Sequence, residues 1–268
     1  MMTHSAFSFE PMLAFSGGIF LLFAVVAGFV IVMGIMGHKR AAARREALAA
    51  WASAHGLIYS QGRRCVGEEE IFGCLRQGSN RYGENWITGN YHSWGMKAFD
   101  YHYETHSTDS KGRRQTHHHY FSAIIVQSKC PLGPLEIRPE GFFDKVGEFF
   151  GLDDIDFESA EFSRRFFVKS RDKRWAYDII HQETMQFLLD HAANFRIALA
   201  GQCAIVWDGS LFTPEEYDQA AALLTGVLGR IPEHVIEQRI ELSGMRAPRV
   251  PAVPPLSEPI SREGPIRW

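Results

Sequence analysis

The sequence predicts an α+β fold: an N-terminal transmembrane helix followed by a cytoplasmic domain of antiparallel hairpins with packed helices. Three observations predict it. From Pro11 to Gly37 no residue carries a charge. Between residues 57 and 127, short aromatic-rich runs alternate with polar, Gly-containing turns, as hairpins require. Beyond residue 170 the pattern turns helical, with hairpins first and helices interleaved later.

The apolar run at residues 12–36 sets the architecture. About 20 apolar residues span a bilayer core, and a helix is the single-segment way to satisfy the backbone there. A cleaved signal peptide would need a positive leader, but Met1–Glu10 contains no Lys or Arg. Lys39, Arg40, Arg44 and Arg45 follow the run, so the positive-inside rule puts the N-terminus outside and the domain in the cytoplasm of a bacterial inner membrane. Those four residues are the expected contacts to anionic headgroups. Ala24 and Gly28 form a small-x-x-x-small pair suited to close helix packing. The expected divisions are a short outer terminus (1–11), the membrane helix (12–36), a basic juxtamembrane helix (37–56), the α+β domain (57–246) and a Pro-rich disordered tail (247–268).

Within the juxtamembrane helix, Leu48, Trp51 and Ala52 share a stripe and Gly56 is placed as a C-cap. Glu84–Tyr91 and Met96–His106 read as strands around a turn at His92–Gly95, and Thr116–Gln127 as a third strand. Pro131 and Pro134 bracket an expected turn into Leu135–Arg138. Gly141–Phe150 repeats apolar residues at helical spacing, and Asp153, Asp154 and Asp156 read as an acidic turn. Phe166–Ser170 reads as a strand, and Lys173–Ile180 and Gln182–Ala192 as helices. Phe195–Leu199 and Cys203–Trp207 suggest a second hairpin around Ala200-Gly201-Gln202. Thr213-Pro214-Glu215-Glu216 starts a helix that runs to about Arg230, with Thr as N-cap, Pro first and Glu third. The tail prolines have Pro-x-x-Pro spacing at Pro248/Pro251 and Pro251/Pro254.

Composition narrows the function classes. A net charge of −3 gives no clustered basic excess for nucleic acid. Cys65, Cys74, Cys130 and Cys203 show no C-x-x-C spacing, so free, buried thiols are expected instead of a disulfide or cysteine–zinc framework. No phosphate-binding Gly loop, EF-hand, H-E-x-x-H or G-x-S-x-G occurs. The chemistry-bearing group is histidine. His102, His106, His117, His118 and His119 fall on two strands of one predicted hairpin. With the loop centred near residues 110–111, His102 faces His119 and Glu104 faces His117, a set that could hold zinc. A one-residue register slip would regroup those side chains.

The segments SNRYGENWITGNYHSWGMKAFDYHY and PLGPLEIRPEGFFDKVGEFFGLDDIDFESAEFSRRFFVKSRDKRWAYDIIHQETMQFLL resemble a family of uncharacterised bacterial single-pass membrane proteins with a cytoplasmic α+β domain. The resemblance spans roughly residues 40–235. It rests on Phe99-Asp100-Tyr101, the Pro-rich turn before Leu135–Pro139, Phe162, Phe166–Ser170 and the helix pair after it. It implies no activity and no catalytic residue. The leading expectation is therefore a non-enzymatic, membrane-anchored protein whose domain binds a protein partner or the lipid surface. The alternative is a metal-binding protein or metal-dependent enzyme using His102, Glu104, His117 and His119.

Overall fold

In the computed structural model, residues 10–67, 71–140, 153–155, 157–192 and 194–244 are described. Helix α1 (Glu10–Ala54) is continuous, so the membrane and juxtamembrane segments form one rod of 45 residues, about 68 Å long at 1.5 Å per residue. Its upper part, with Phe23, Phe29, Ile31 and Met33, is exposed to solvent, and none of the most apolar window is covered by the protein. The helix is long and apolar enough to cross a membrane. Its lower part is built into the domain, where Leu48, Trp51 and Ala52 are buried as their stripe predicts. Gly56 ends it with φ of 67°. There the Leu57 amide donates to Ala52 O (2.8 Å) and the Gly56 amide to Ser53 O, a Schellman cap that seats Leu57 in the core.

The domain is one antiparallel sheet with elements β1 (Ile58–Ser60), β2 (Ser79–Tyr91), β3 (Trp94–Thr108), β4 (Arg114–Pro139), β5 (Asp153–Asp154), β6 (Phe166–Ser170) and β7 (Arg196–Trp207). The order is β1-β2-β3-β4-β6-β5, and β7 pairs with the other edge of β4. Helices α2 (Ala160–Arg165), α3 (Lys173–Ile179), α4 (Gln182–His191), α5 (Pro214–Gly229) and α6 (Glu233–Leu242) complete the fold. The large core between sheet and helices includes Ala98, Ile124, Val126, Leu188, Tyr217 and Leu224. A smaller core on the other face, with Phe72, Leu75, Trp86, Tyr101, Phe121 and Trp207, is closed by the segment before β2.

The β2–β3 turn falls where expected. It consists of His92 and Ser93, both at positive φ, the twist a two-residue hairpin needs. Other expectations change. Pro131 and Pro134 do not break the chain. They lie between Val126, the last β4 residue paired with β3, and Leu135, the first paired with β6. In that interval β4 has a partner only through β7 on its opposite edge. A proline there removes no ladder bond, which is why it is tolerated.

The second hairpin is also replaced. Ala200-Gly201-Gln202 is a bend inside a single strand, β7, with Gly201 at φ of 59°. β7 follows β4 through matching register shifts between Gln127 and Leu135. Asp153 and Asp154 pair with Ser170 and Lys169 as β5 instead of forming a turn. Pro232 ends α5 but also serves as N-cap of α6, a helix the sequence reading omits, as it does α2. Gly141–Phe150, Asp156 and the Pro-rich tail lie outside the described residues.

None of the four cysteines is joined in a disulfide, but only Cys74 and Cys130 are buried, while Cys65 is exposed and Cys203 half-buried. α5 begins with the complete predicted capping box: the Thr213 hydroxyl accepts from the Glu216 amide, and the Glu216 carboxylate accepts from the Thr213 amide.

Candidate functional site

Alternation along β3 places Ala98, Asp100, His102, Glu104 and His106 on one face, the face that carries the helices. Along this column the environment changes from apolar core to a buried carboxylate and then to an open histidine cluster.

Asp100 is 3% exposed, and its carboxylate collects five donors. Arg44 grips it in a fork, Nε to Oδ2 at 2.8 Å and Nη2 to Oδ1 at 2.7 Å. Asn85 Nδ2 donates to Oδ2 at 2.8 Å, the Ser122 hydroxyl to Oδ1 at 2.6 Å and the Tyr217 hydroxyl to Oδ1 at 3.3 Å. Ser122 Oγ in turn accepts from the Phe212 amide, and Arg44 Nη1 donates to Phe212 O. Asn85 can reach because a bulge between Glu84 and Ile87 puts it at φ of 55°, a conformation Asn tolerates. The cluster joins α1, β2, β3, β4 and α5. Burial alone would pull the Arg44 guanidinium down, but Asp100's hydrogen bonds and charge outweigh it and raise its pKa. Burial, reinforced by the Asp100 charge, likewise raises the Tyr217 phenol and keeps it a donor. Lower on the same helix, Trp51 Nε1 donates to Asp218 Oδ1 at 2.8 Å, and His55 stands 3.1 Å from the same oxygen.

Arg44 is therefore not a headgroup ligand as expected; its guanidinium is committed to the protein. The fork forms part of the wall of a cleft of about 510 Å³ between α1 and the sheet, which Arg40, Arg45, Arg63, Glu84 and Tyr120 also line. Arg63 sits over the Tyr82 ring at 4.4 Å, and Tyr82 stacks on His102 at 4.5 Å.

The histidine pairing needs correction. The hairpin centres on Lys111, so His102 faces Tyr120, Glu104 faces His118 and Thr105 faces His117. The half-residue shift from the expected centre changes every pairing on the hairpin. His117 and His119 move to the opposite face. There His117 Nε2 meets Ser107 Oγ at 2.8 Å, and His119 Nε2 meets Thr105 Oγ1 at 2.8 Å while its ring stacks on Tyr103. His118 takes their place: His102, Glu104 and His118 offer one ligand atom each, all within 4.8 Å of one another. The Glu104 carboxyl sits below the usual carboxylate range, chiefly because the Asn80 side-chain amide donates to it at 2.6 Å, with the neighbouring histidines adding to the effect.

Two features escaped the sequence reading. One is the Asp100 cluster, whose signal was a lone carboxylate amid the apolar and aromatic residues of MKAFDYHY. The other is Asn80, which has no local signature.

No protein-family model and no curated protein matches this chain. Among solved structures it is similar to the crystal structure of the mycobacterial trehalose monomycolate transport factor A, TtfA. The TM-score is 0.52 at 11% identity, covering 70% of this chain and 94% of that one. At that identity the likeness shows a shared fold and transfers no residue's role.

Proposed function

We propose that the protein is a non-enzymatic, single-pass inner-membrane protein whose cytoplasmic domain is held against the bilayer as a binding platform. The observation that carries this reading is the continuity of α1 into the domain core through the Arg44–Asp100 fork. A flexible linker would let the domain wander; a continuous helix with a bidentate, part-buried ion pair fixes its orientation.

The direction of the sheet supports surface contact. His55, near the end of α1, lies beside Tyr91, which pairs with Trp94, whereas Arg44 lies beside Asp100. The helix climbs about 16 Å between those residues and the strand about 20 Å between its own. They run side by side in opposite directions, so the β3–β4 hairpin continues past Asp100 toward the membrane. Lys39 and Arg40 above the fork, with Arg45 beside it, then form a basic collar facing anionic headgroups. A protein partner recruited to this surface is the remaining part of the reading. The resemblance to uncharacterised bacterial single-pass proteins, and a fold shared with a protein named for transport, accord with binding in preference to turnover.

Exposed Cys65 provides the test. A membrane-impermeant maleimide applied to intact spheroplasts should leave it unlabelled and should label it after permeabilisation. Labelling of intact spheroplasts would overturn the topology. In nanodiscs, replacing Lys39, Arg40 and Arg45 by Gln should abolish crosslinking from the juxtamembrane part of α1 to anionic lipid. Unchanged crosslinking would remove the surface-contact part.

A further inference from the structure

The geometry points to a divalent transition-metal site formed by His102, Glu104 and His118, with zinc as its natural occupant. This goes beyond the anchoring role and does not depend on it.

His102 is 1% exposed and is held on both sides by Tyr82 and Tyr120, with ring centroids 4.5 and 4.7 Å away. Its Nδ1 lies 3.1 Å from the backbone carbonyl of Asn80. A carbonyl only accepts, so Nδ1 carries the proton and Nε2 presents its lone pair. This is the carbonyl-backed orientation that metal-bound imidazoles use. Nε2 points at His118 Nδ1, 3.1 Å away, and that Nδ1 lies 3.5 Å from Glu104 Oε1. Ligand atoms around a tetrahedral zinc with bonds of about 2.0–2.1 Å are separated by roughly 3.3–3.4 Å. The two shorter edges of the cluster bracket that value.

Glu104 is positioned by the Asn80 side chain, so one residue backs two ligands: its carbonyl holds His102 and its amide holds Glu104. The set of two imidazoles and one carboxylate matches sites that keep a coordination position open to solvent. His118, with a side chain 53% exposed, lies on the open side. Calcium and magnesium prefer all-oxygen shells, so the donor set selects zinc, cobalt, nickel, copper or iron over them.

The test uses the full chain in detergent without a histidine tag, titrated with zinc chloride by calorimetry and with cobalt chloride by visible absorption. About one equivalent of zinc should bind, and cobalt should give the absorption of a low-symmetry, four- or five-coordinate ion. His118→Ala and Glu104→Gln should each weaken zinc by at least about tenfold. Because His118 is exposed, its variant should unfold at the wild-type temperature when metal-free, separating a lost ligand from a lost fold. The double variant His117→Ala/His119→Ala should bind as wild type. No binding by the wild-type chain would overturn the proposal. So would an equal loss in the double variant, because the metal would then be held by the histidine run at large.

Discussion

Asp100 and His102 stand two residues apart on the same face of β3, and each gathers polar groups from neighbouring strands. Around Asp100, buried at the wall of a cleft, five donors converge on two oxygens, and the charge is balanced within the cluster. Around His102 the partners leave a lone pair facing another imidazole nitrogen and a carboxylate, on the side open to solvent. The difference teaches how to sort polar clusters. A saturated, buried one fixes elements relative to each other, whereas an unsaturated one at a rim is equipped to take a ligand.

The largest expected effect comes from opening the saturated cluster. Arg44→Ala leaves Asp100 buried without its counter-charge, and should destabilise the full chain by about 3–5 kcal/mol in denaturant unfolding. Arg44→Met combined with Asp100→Leu orphans no charge but leaves the Asn85, Ser122 and Tyr217 donors without their acceptor, so it should recover only part of that loss. Recovery of none of it would show that the hydrogen bonds to Asp100 outweigh the ion pair.

Ser122→Ala should cost about 1–3 kcal/mol, because it removes a donor to Asp100 and leaves the buried Phe212 amide unpaired. Thr213→Ala should cost about 1 kcal/mol by uncapping α5, the helix that delivers Tyr217 to Asp100. On the open side, Asn80→Gly retains the positive φ and the carbonyl but drops the amide that holds Glu104. It should weaken zinc a few-fold with little change in unfolding temperature.

The smallest effect concerns a different carboxylate. Glu136 on β4 is surrounded by burial that raises its pKa, partly offset by the charges of Arg138, Lys169 and Arg196. A raised folded value means the native state holds the proton more tightly than the unfolded chain. The stability this supplies is present below the ordinary glutamate value of about 4.3 and is lost as pH rises through the raised one. Glu136→Gln should therefore unfold at a higher temperature than wild type at about pH 8, with the gain shrinking as pH falls toward about 4.3. A gain that grew on acidification would contradict the sign.

Local signals were legible in the sequence wherever one segment settled its own structure. The Leu48–Trp51–Ala52 stripe, the Gly56 cap, the Thr213 capping box and the His92–Ser93 turn all fall where their chemistry placed them. What failed depended on partners distant in sequence. Pro131 and Pro134 look like a break until β4 is seen exchanging β3 for β6 beside them. Gly201 looks like a hairpin turn until the matching bends of β4 are placed next to it. The histidine set failed by half a residue in the loop centre, enough to exchange His118 for His117 and His119. Arg44 was assigned to lipid because nothing in the basic run shows which arginine faces Asp100.

The contrast between the closed and open clusters is tested most directly by measuring Ser122→Ala and His118→Ala side by side for metal-free unfolding temperature and for zinc affinity at low temperature. The expected result is a crossed pattern: Ser122→Ala lowers the unfolding temperature and binds zinc as wild type, whereas His118→Ala unfolds as wild type and loses at least about tenfold in zinc affinity. If each variant shifted both readouts together, the two clusters would be one unit, and the division between a clamp for the helix and a site for a ligand would be wrong.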